Sequence, residues 1–194
     1  MAEALTRDKI LEAAEQVLRR FGPAKTTVVD VARALGVSHG SVYRHFASKV
    51  ELLDAVVEGW LKRTSDPLEA IVTDTAPPRE RLRKWFTALM AAKRSKVTSD
   101  PEMFAASREI FAAAHDVVAR HVATLEGQIA RILADGVKRG DFAIDDVPGR
   151  AGAIFDALVR FHDPAHAIEW NDPAVDVAFE RVWALIDATL TPPR

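Results

Sequence analysis

A chain of 194 residues, 48% of them apolar and 28% charged, is long enough to bury one sizeable core, or a small module beside a larger one. This composition excludes disordered and fibrous classes, and the absence of cysteine excludes a disulfide framework, a thiolate metal site and a cysteine nucleophile. The net charge of −2 hides an asymmetry: residues 1–50 carry eight Lys/Arg against five Asp/Glu, whereas the remainder carries 18 against 23. A basic head on an acidic body suits a protein that presents one end to phosphates.

Apolar residues recur at steps of three and four almost throughout, and no alternating strand pattern interrupts them, so the expected fold is all-α, with about nine helices. The N-terminus mixes charged and apolar residues without the uninterrupted apolar run of a signal peptide. Nothing elsewhere approaches the roughly 18 apolar residues that a membrane span needs. The expectation is a soluble, cytoplasmic protein with no membrane partner.

The first helix is expected over about 7–21, with Thr6 as its cap, a stripe of Ile10, Ala14, Val17, Leu18 and Phe21, and Gly22-Pro23 as its stop. Short helices follow at about 28–35 and 39–46, joined by Gly36-Val37, and a fourth starts near Ser48. Its stripe is Leu52, Leu53, Val56, Val57, Trp60 and Leu61, and Asp66-Pro67 closes it. The domain division that follows is a head at 1–50, running into a linker helix at about 48–65, and a body at 66–194.

In the body, helices are expected at about 79–96, after Asp100-Pro101, and at about 115–139, where Gly140 is placed to stop the helix. Two more follow at about 147–162 and 173–190, and both are apolar around more than one face. A surface helix against one core needs one stripe, so the second stripe implies either a second partner, most simply another copy of the chain, or a central place for these helices within the subunit; the first is expected. The residues expected at that dimer face are Ile154, Phe155 and Leu158 on one helix and Phe179, Val182, Trp183 and Ile186 on the other.

TTVVDVARALGVSHGSVYRHFASK carries the functional signal. Thr27 caps the second helix, which packs Val28, Val31, Ala32 and Leu35 inward; Gly36 supplies the positive φ of a sharp turn, Val37 plugs the junction and Ser38 caps the third helix. From that cap, His39, Gly40, Ser41 and Arg44 face outward while Val42 and Phe46 face the core. This is the pattern of a helix-turn-helix, whose recognition helix enters the major groove by its N-terminal end. Tyr43, His45 and Lys49 lie on the flanks, where hydroxyl, imidazole and ammonium groups can hold phosphates, and Ser38 stands beside them.

The segment FGPAKTTVVDVARALGVSHGSVYRHFASKVELL resembles the DNA-binding head of TetR-family regulators over about residues 7–60. The resemblance implies a homodimer with two recognition helices on a pseudo-palindromic double-stranded operator, an all-α body for ligand and partner, and repression relieved by a small effector. It assigns phosphate contacts to Thr27, Tyr43 and Lys49 and base reading to His39, Gly40, Ser41 and Arg44. His39 and Val29 depart from the family's common pattern, which leaves the operator sequence open.

For the effector, the candidates are large soft side chains on body helices: Trp60, Trp85, Phe86, Met90, Met103, Phe104 and Phe111. Pockets are mostly apolar with few polar anchors, so an apolar or aromatic ligand is expected, with His115 or His162 as an anchor. No cofactor or metal is expected, since His115 and His121 do not share a helical face and Asp163-Pro164 separates His162 from His166. Glycine-rich phosphate loops, a G-x-S-x-G elbow and an H-E-x-x-H helix are all missing, so the chain does not read as an enzyme. The competing reading is a helical-bundle ligand-binding protein or enzyme with no specific DNA recognition.

Overall fold

The computed structural model describes residues 4–99, 104 and 109–191, and these form helices and turns with no strand among them. The described residues divide into two compact units: one contains the chain up to Lys62 and a later stretch ending at Ala119, the other Arg63–Ser99 and the chain from Arg120 onward. Residues 109–119 therefore belong with the head rather than with the body, where the sequence pattern had put them. Ile110, Ala114 and Val117 are the reason, because they are buried in the head's own core.

In the head, α1 (Arg7–Lys25), α2 (Val28–Leu35), α3 (His39–Tyr43) and the start of α4 (Lys49–Ser65) enclose Ile10, Leu18, Val31, Val42, Phe46 and Leu52. Thr6 caps α1 by accepting the Lys9 amide, as its side chain predicts. The expected stop at Gly22-Pro23 is a kink: Gly22 has φ 74, and one more turn follows before Thr26. The Thr26 hydroxyl ties that turn down by donating to the Gly22 carbonyl at 2.7 Å.

The body begins where α4 runs without a break into a 3-10 turn (Asp66–Leu68) and a short α5 (Glu69–Val72). Asp66-Pro67 was expected to end the helical path. Proline in the first turn of a helix lacks only an N–H that had no intrahelical partner, so it can start the next turn instead. Then come α6 (Pro78–Ser99), α7 (His115–Arg139), α8 (Val147–Ala157), α9 (Val159–His162), a 3-10 segment (Pro164–Glu169) and α10 (Pro173–Leu190). Expected as one helix, α8 and α9 are separated at Leu158, whose ψ of 9° lies outside the α range.

The body core joins Leu82, Trp85 and Phe86 of α6 to Leu125, Ile129 and Ile132 of α7 and to side chains of α8 and α10. Gly136 permits one close approach: a Cβ there would lie 2.1 Å from the Phe142 ring, which is packed into the same core. Arg81, buried in this unit, is ion-paired with Asp135 and donates to the Val72 carbonyl at 2.7 Å, so its charge is both paired and hydrogen-bonded.

The residues expected at a dimer face lie inside this core. Ile154, Phe155, Leu158, Phe179, Trp183 and Ile186 are all buried in the single chain, and the half-buried Val182 packs against them. Their broad apolar arcs are consumed by α6, α7 and each other, because a central helix in a layered body meets neighbours on several sides. The large apolar side chains that these segments leave exposed are others: Val159, Ile168, Val177 and Leu185.

Candidate nucleic-acid interface

Two capped helices and the turn between them set the geometry of the head. Thr27 and Asp30 form a reciprocal capping box: the Asp30 amide donates to the Thr27 hydroxyl oxygen at 3.2 Å, and the Thr27 amide donates to the Asp30 carboxylate at 3.2 Å. The Thr27 hydroxyl bond, with Arg33 beside it, holds the Asp30 carboxyl below the usual carboxylate range. At the far end of α2, Gly36 has φ 66 and ψ 28. Its amide bonds the Arg33 carbonyl and that of Val37 bonds Ala32, the paired 5→2 and 6→1 closure of a Schellman motif. A β-carbon would be strained at that φ, so the turn depends on glycine.

Ser38 then starts α3, its hydroxyl accepting the Ser41 amide at 3.2 Å. The two serine hydroxyls share a hydrogen bond of 2.9 Å, and Arg44 donates to the Ser41 hydroxyl at 3.1 Å. The guanidinium is thus drawn along the outer face of the helix with most of its five donors unspent. The helix ends at Tyr43, short of the expected 46, because Arg44 is its C-cap; Val42 within it and Phe46 three residues beyond its end are fully buried and fix the rotation of the segment. His39, Gly40, Tyr43 and Arg44 are exposed and Ser41 is half-buried, so the predicted base-reading residues share one outward surface. Gly40 has open space around it, with only the Ser38 hydroxyl 3.8 Å from where a Cβ would sit. The bare backbone there lets another molecule approach closely.

The flanking residues fall into different roles. Tyr43 is 45% exposed and meets His39 edge to face, with ring centroids 6.4 Å apart. Lys49 donates to the Pro23 carbonyl at 3.1 Å, which fastens the start of α4 to the kink in α1 and leaves two of its three ammonium protons for a phosphate. The Thr27 hydroxyl, by contrast, donates to Asp30 at 2.5 Å. As placed, it serves the cap, and a phosphate beside it would meet a carboxylate. Ser38 is also committed to its cap, and His45 is half-buried with its carbonyl accepting from Arg7 at 3.0 Å.

Sequence reasoning missed Arg7 and Glu51. Arg7 lies 4.1 Å above the Phe46 ring as well as bonding His45, so it pins the N-terminus of α1 to the end of α3. Glu51 accepts the Ala47 amide at 2.7 Å while its own amide bonds the Ser48 hydroxyl, which makes the start of α4 a second capping box displaced by one residue. The S-x-x-E spacing of Ser48 and Glu51 was the available signal.

The residues expected around an effector do not form one group. Trp60 and Phe111 pack edge to face in the head unit, centroids 6.3 Å apart. Trp85, Phe86 and Met90 are buried in the body, where the Trp85 indole donates to Gln128 at 2.9 Å and Gln128 donates to the Ser65 carbonyl at 3.0 Å. Phe104 is half-buried, His115 is exposed at the start of α7, and Met103 lies outside the described residues. His162 is buried in the body, its Nε2 is 3.0 Å from the Phe155 carbonyl and its ring lies on that of Phe155 at 4.2 Å. Burial first, and then the Lys93 amine, push the His162 pKa down to about 4. Among the described residues, no three histidine or carboxylate side chains gather as metal ligands.

A two-unit all-α chain with a capped, outward-facing helix-turn-helix has the architecture of a DNA-binding protein, and comparison with known proteins agrees. Residues 10–56 match the family described as bacterial regulatory proteins, tetR family, and residues 78–183 match the tetracyclin repressor-like C-terminal domain. The chain belongs to the TetR family, which is regulatory rather than enzymatic.

Among curated relatives, the HTH-type transcriptional repressor KstR2 of Mycobacterium tuberculosis is 40% identical over 86 residues, 44% of this chain and 43% of that protein. The HTH-type transcriptional regulator TtgR of Pseudomonas putida is 43% identical over 63 residues, 32% of this chain and 30% of that protein. The matches thus span less than half of these relatives. The structure of SmeT, the repressor of a Stenotrophomonas maltophilia multidrug efflux pump, superposes with a TM-score of 0.68 at 23% identity, covering 93% of this chain and 90% of that one. At that identity the likeness is one of fold.

Proposed function

We propose that this chain is a transcriptional repressor that binds a pseudo-palindromic operator as a homodimer and leaves it when a small effector enters the body. The observation that carries the reading is the outer surface of α3. His39, Gly40 and Arg44 stand exposed beside Ser41 on a helix whose opposite side is locked by Val42 and Phe46, with the Arg44 fork already oriented by Ser41. Such a surface offers bidentate donors to guanine edges, and Tyr43 and Lys49 flank it for backbone phosphates. The relative named as a repressor supports the sign of regulation.

A recognition helix this short spans one half-site, so a pair is needed to read a full operator. In the second copy's interface we place the exposed Val177 and Leu185 of α10, 52% and 69% accessible, rather than the core residues first expected there. Effector response draws support from the family and from a neighbour of the same fold, RolR, whose structure was solved with resorcinol.

Selection from a random duplex pool tests the reading. An inverted repeat should be enriched, its half-sites about one helical turn apart. Enrichment of no inverted repeat would remove specific repression and leave a ligand-binding bundle.

A further inference from the structure

Three elements of the body each end a buried apolar stripe with a nitrogen base. Along α6, Leu82, Phe86, Leu89 and Met90 are buried on one side, and Lys93, three and four residues after the last two, comes next on that side. Along α7, His121 stands one turn before Leu125, Gln128 and Ile129 on the buried side, and is itself 8% exposed. His162, 3% exposed, closes α9. The three lie in one unit: α6 packs against α9, which ends in His162, and His121 stands one turn from Leu125, which shares a core with Leu89 and Met90. The Lys93 amine accordingly opposes protonation of both imidazoles, and the Lys96 amine that of His121.

An apolar residue at position 93 would extend the core at no electrostatic penalty, whereas an ammonium there gives up hydration. Burial accordingly lowers the Lys93 pKa to about 8, with Asp163 partly offsetting it. Asp163 does not bond the amine; it accepts the Ala165 amide at 2.7 Å and so caps the following turn. His121 Nε2 is buried without a hydrogen-bond partner among the described residues. Near neutral pH the cluster therefore holds a cationic amine with unspent donors and an imidazole nitrogen with nothing to bond. Two amines beside the rings repel a metal cation and attract an anion.

We infer that Lys93 and His121, with His162 behind them, receive the carboxylate of an acidic effector whose apolar part lies along the Met90 side of α6. The carboxylate would take charge-assisted hydrogen bonds from the Lys93 amine and a bond from His121 Nε2–H, which gives both orphaned groups a partner. Lys93 is half-buried whereas His121 and His162 are buried, so a ligand would reach the cluster from the Lys93 side. This rests on the proposal that the body is the effector-binding part, and refines that ligand from apolar or aromatic to apolar with one acidic group.

The test uses the full chain and three pairs of probes: decanoate, phenylacetate and benzoate, each with its primary amide, titrated by calorimetry at pH 7. At least one acid should bind about tenfold or more tightly than its amide, as one charge-assisted pair would give. Lys93→Met should erase the difference while leaving amide binding unchanged, and Lys93→Gln should do the same if the methionine variant folds poorly. Equal binding of acid and amide in all three pairs overturns the inference, as does a preference that survives both substitutions. Because binding is read without DNA, an acid that binds selectively yet fails to release a selected operator supports the site and counts against the repressor reading instead.

Discussion

The head and the body treat their polar groups in opposite ways. In the head, Thr27, Ser38 and Ser48 are absorbed into caps, and Arg44 and Lys49 are each held by one bond with further donors turned outward. In the body, His121 and His162 are drawn inward, where water is scarce, with the half-buried Lys93 on the same side, and His121 Nε2 is left unpaired. A surface that reads a large, solvated polyanion needs pre-oriented but hydrated donors. A site that must respond to a small guest gains by keeping donors whose burial is costly until the guest arrives.

The largest effect that can break this comparison is structural. Trp85→Ala removes a fully buried indole and strands the Gln128 carbonyl it bonds, so chemical denaturation should show a loss of about 3–5 kcal/mol. If Trp85 instead lined a preformed effector cavity, the loss would be much smaller and effector affinity would change without it.

Next in size is acid sensitivity. His121 and His162 have folded-state pKa values of about 4 against an ordinary 6.5, so between those values the unfolded chain binds more protons. Their contribution is intact above pH 6.5 and is lost as pH falls through 4, by up to roughly 3 kcal/mol for each ring. Urea melts between pH 7 and pH 4 should show this decline, and His121→Phe should flatten it.

The effects in the head are smaller. Arg44→Ala should cost about 1–3 kcal/mol on the preferred operator and little on unrelated duplex, measured by fluorescence anisotropy. Lys49→Ala should weaken all sequences alike and reduce the slope of log affinity against log salt by about 1. If Lys49 mainly fastens α4 to Pro23, the melting temperature would fall and the salt slope would stay. Smallest is Thr27→Ala, expected to cost about 1 kcal/mol of stability through the cap and to spare the salt slope, since its hydroxyl already bonds Asp30.

The parts legible in the sequence were those written in local chemistry. The bounds of α2, α7 and α10 follow from caps, from apolar spacing and from Asp172-Pro173, and the Gly36 turn follows from its need for positive φ. The outward row of α3 was legible for the same reason, because Val42 and Phe46 fix its rotation. What depends on distant partners was not. The arcs on α8 and α10 could face another copy or their own core, and only packing decides between them. Lys93 reads as an ordinary solvated lysine until the stripe from Leu82 to Met90 is known to be buried beside His121. Thr27 reads as a phosphate donor until its hydroxyl is seen to donate its hydrogen bond to Asp30.

One measurement bears most directly on the central claim that α3 reads DNA sequence. It is the ratio of affinities for the selected operator and for a scrambled duplex of equal length, at one salt concentration, in the native chain and in Arg44→Ala. The account predicts a native ratio on the order of a thousand or more, falling by about 10- to 100-fold in the variant. A native ratio near one, or a ratio unmoved by Arg44→Ala, His39→Ala and Ser41→Ala alike, would contradict it.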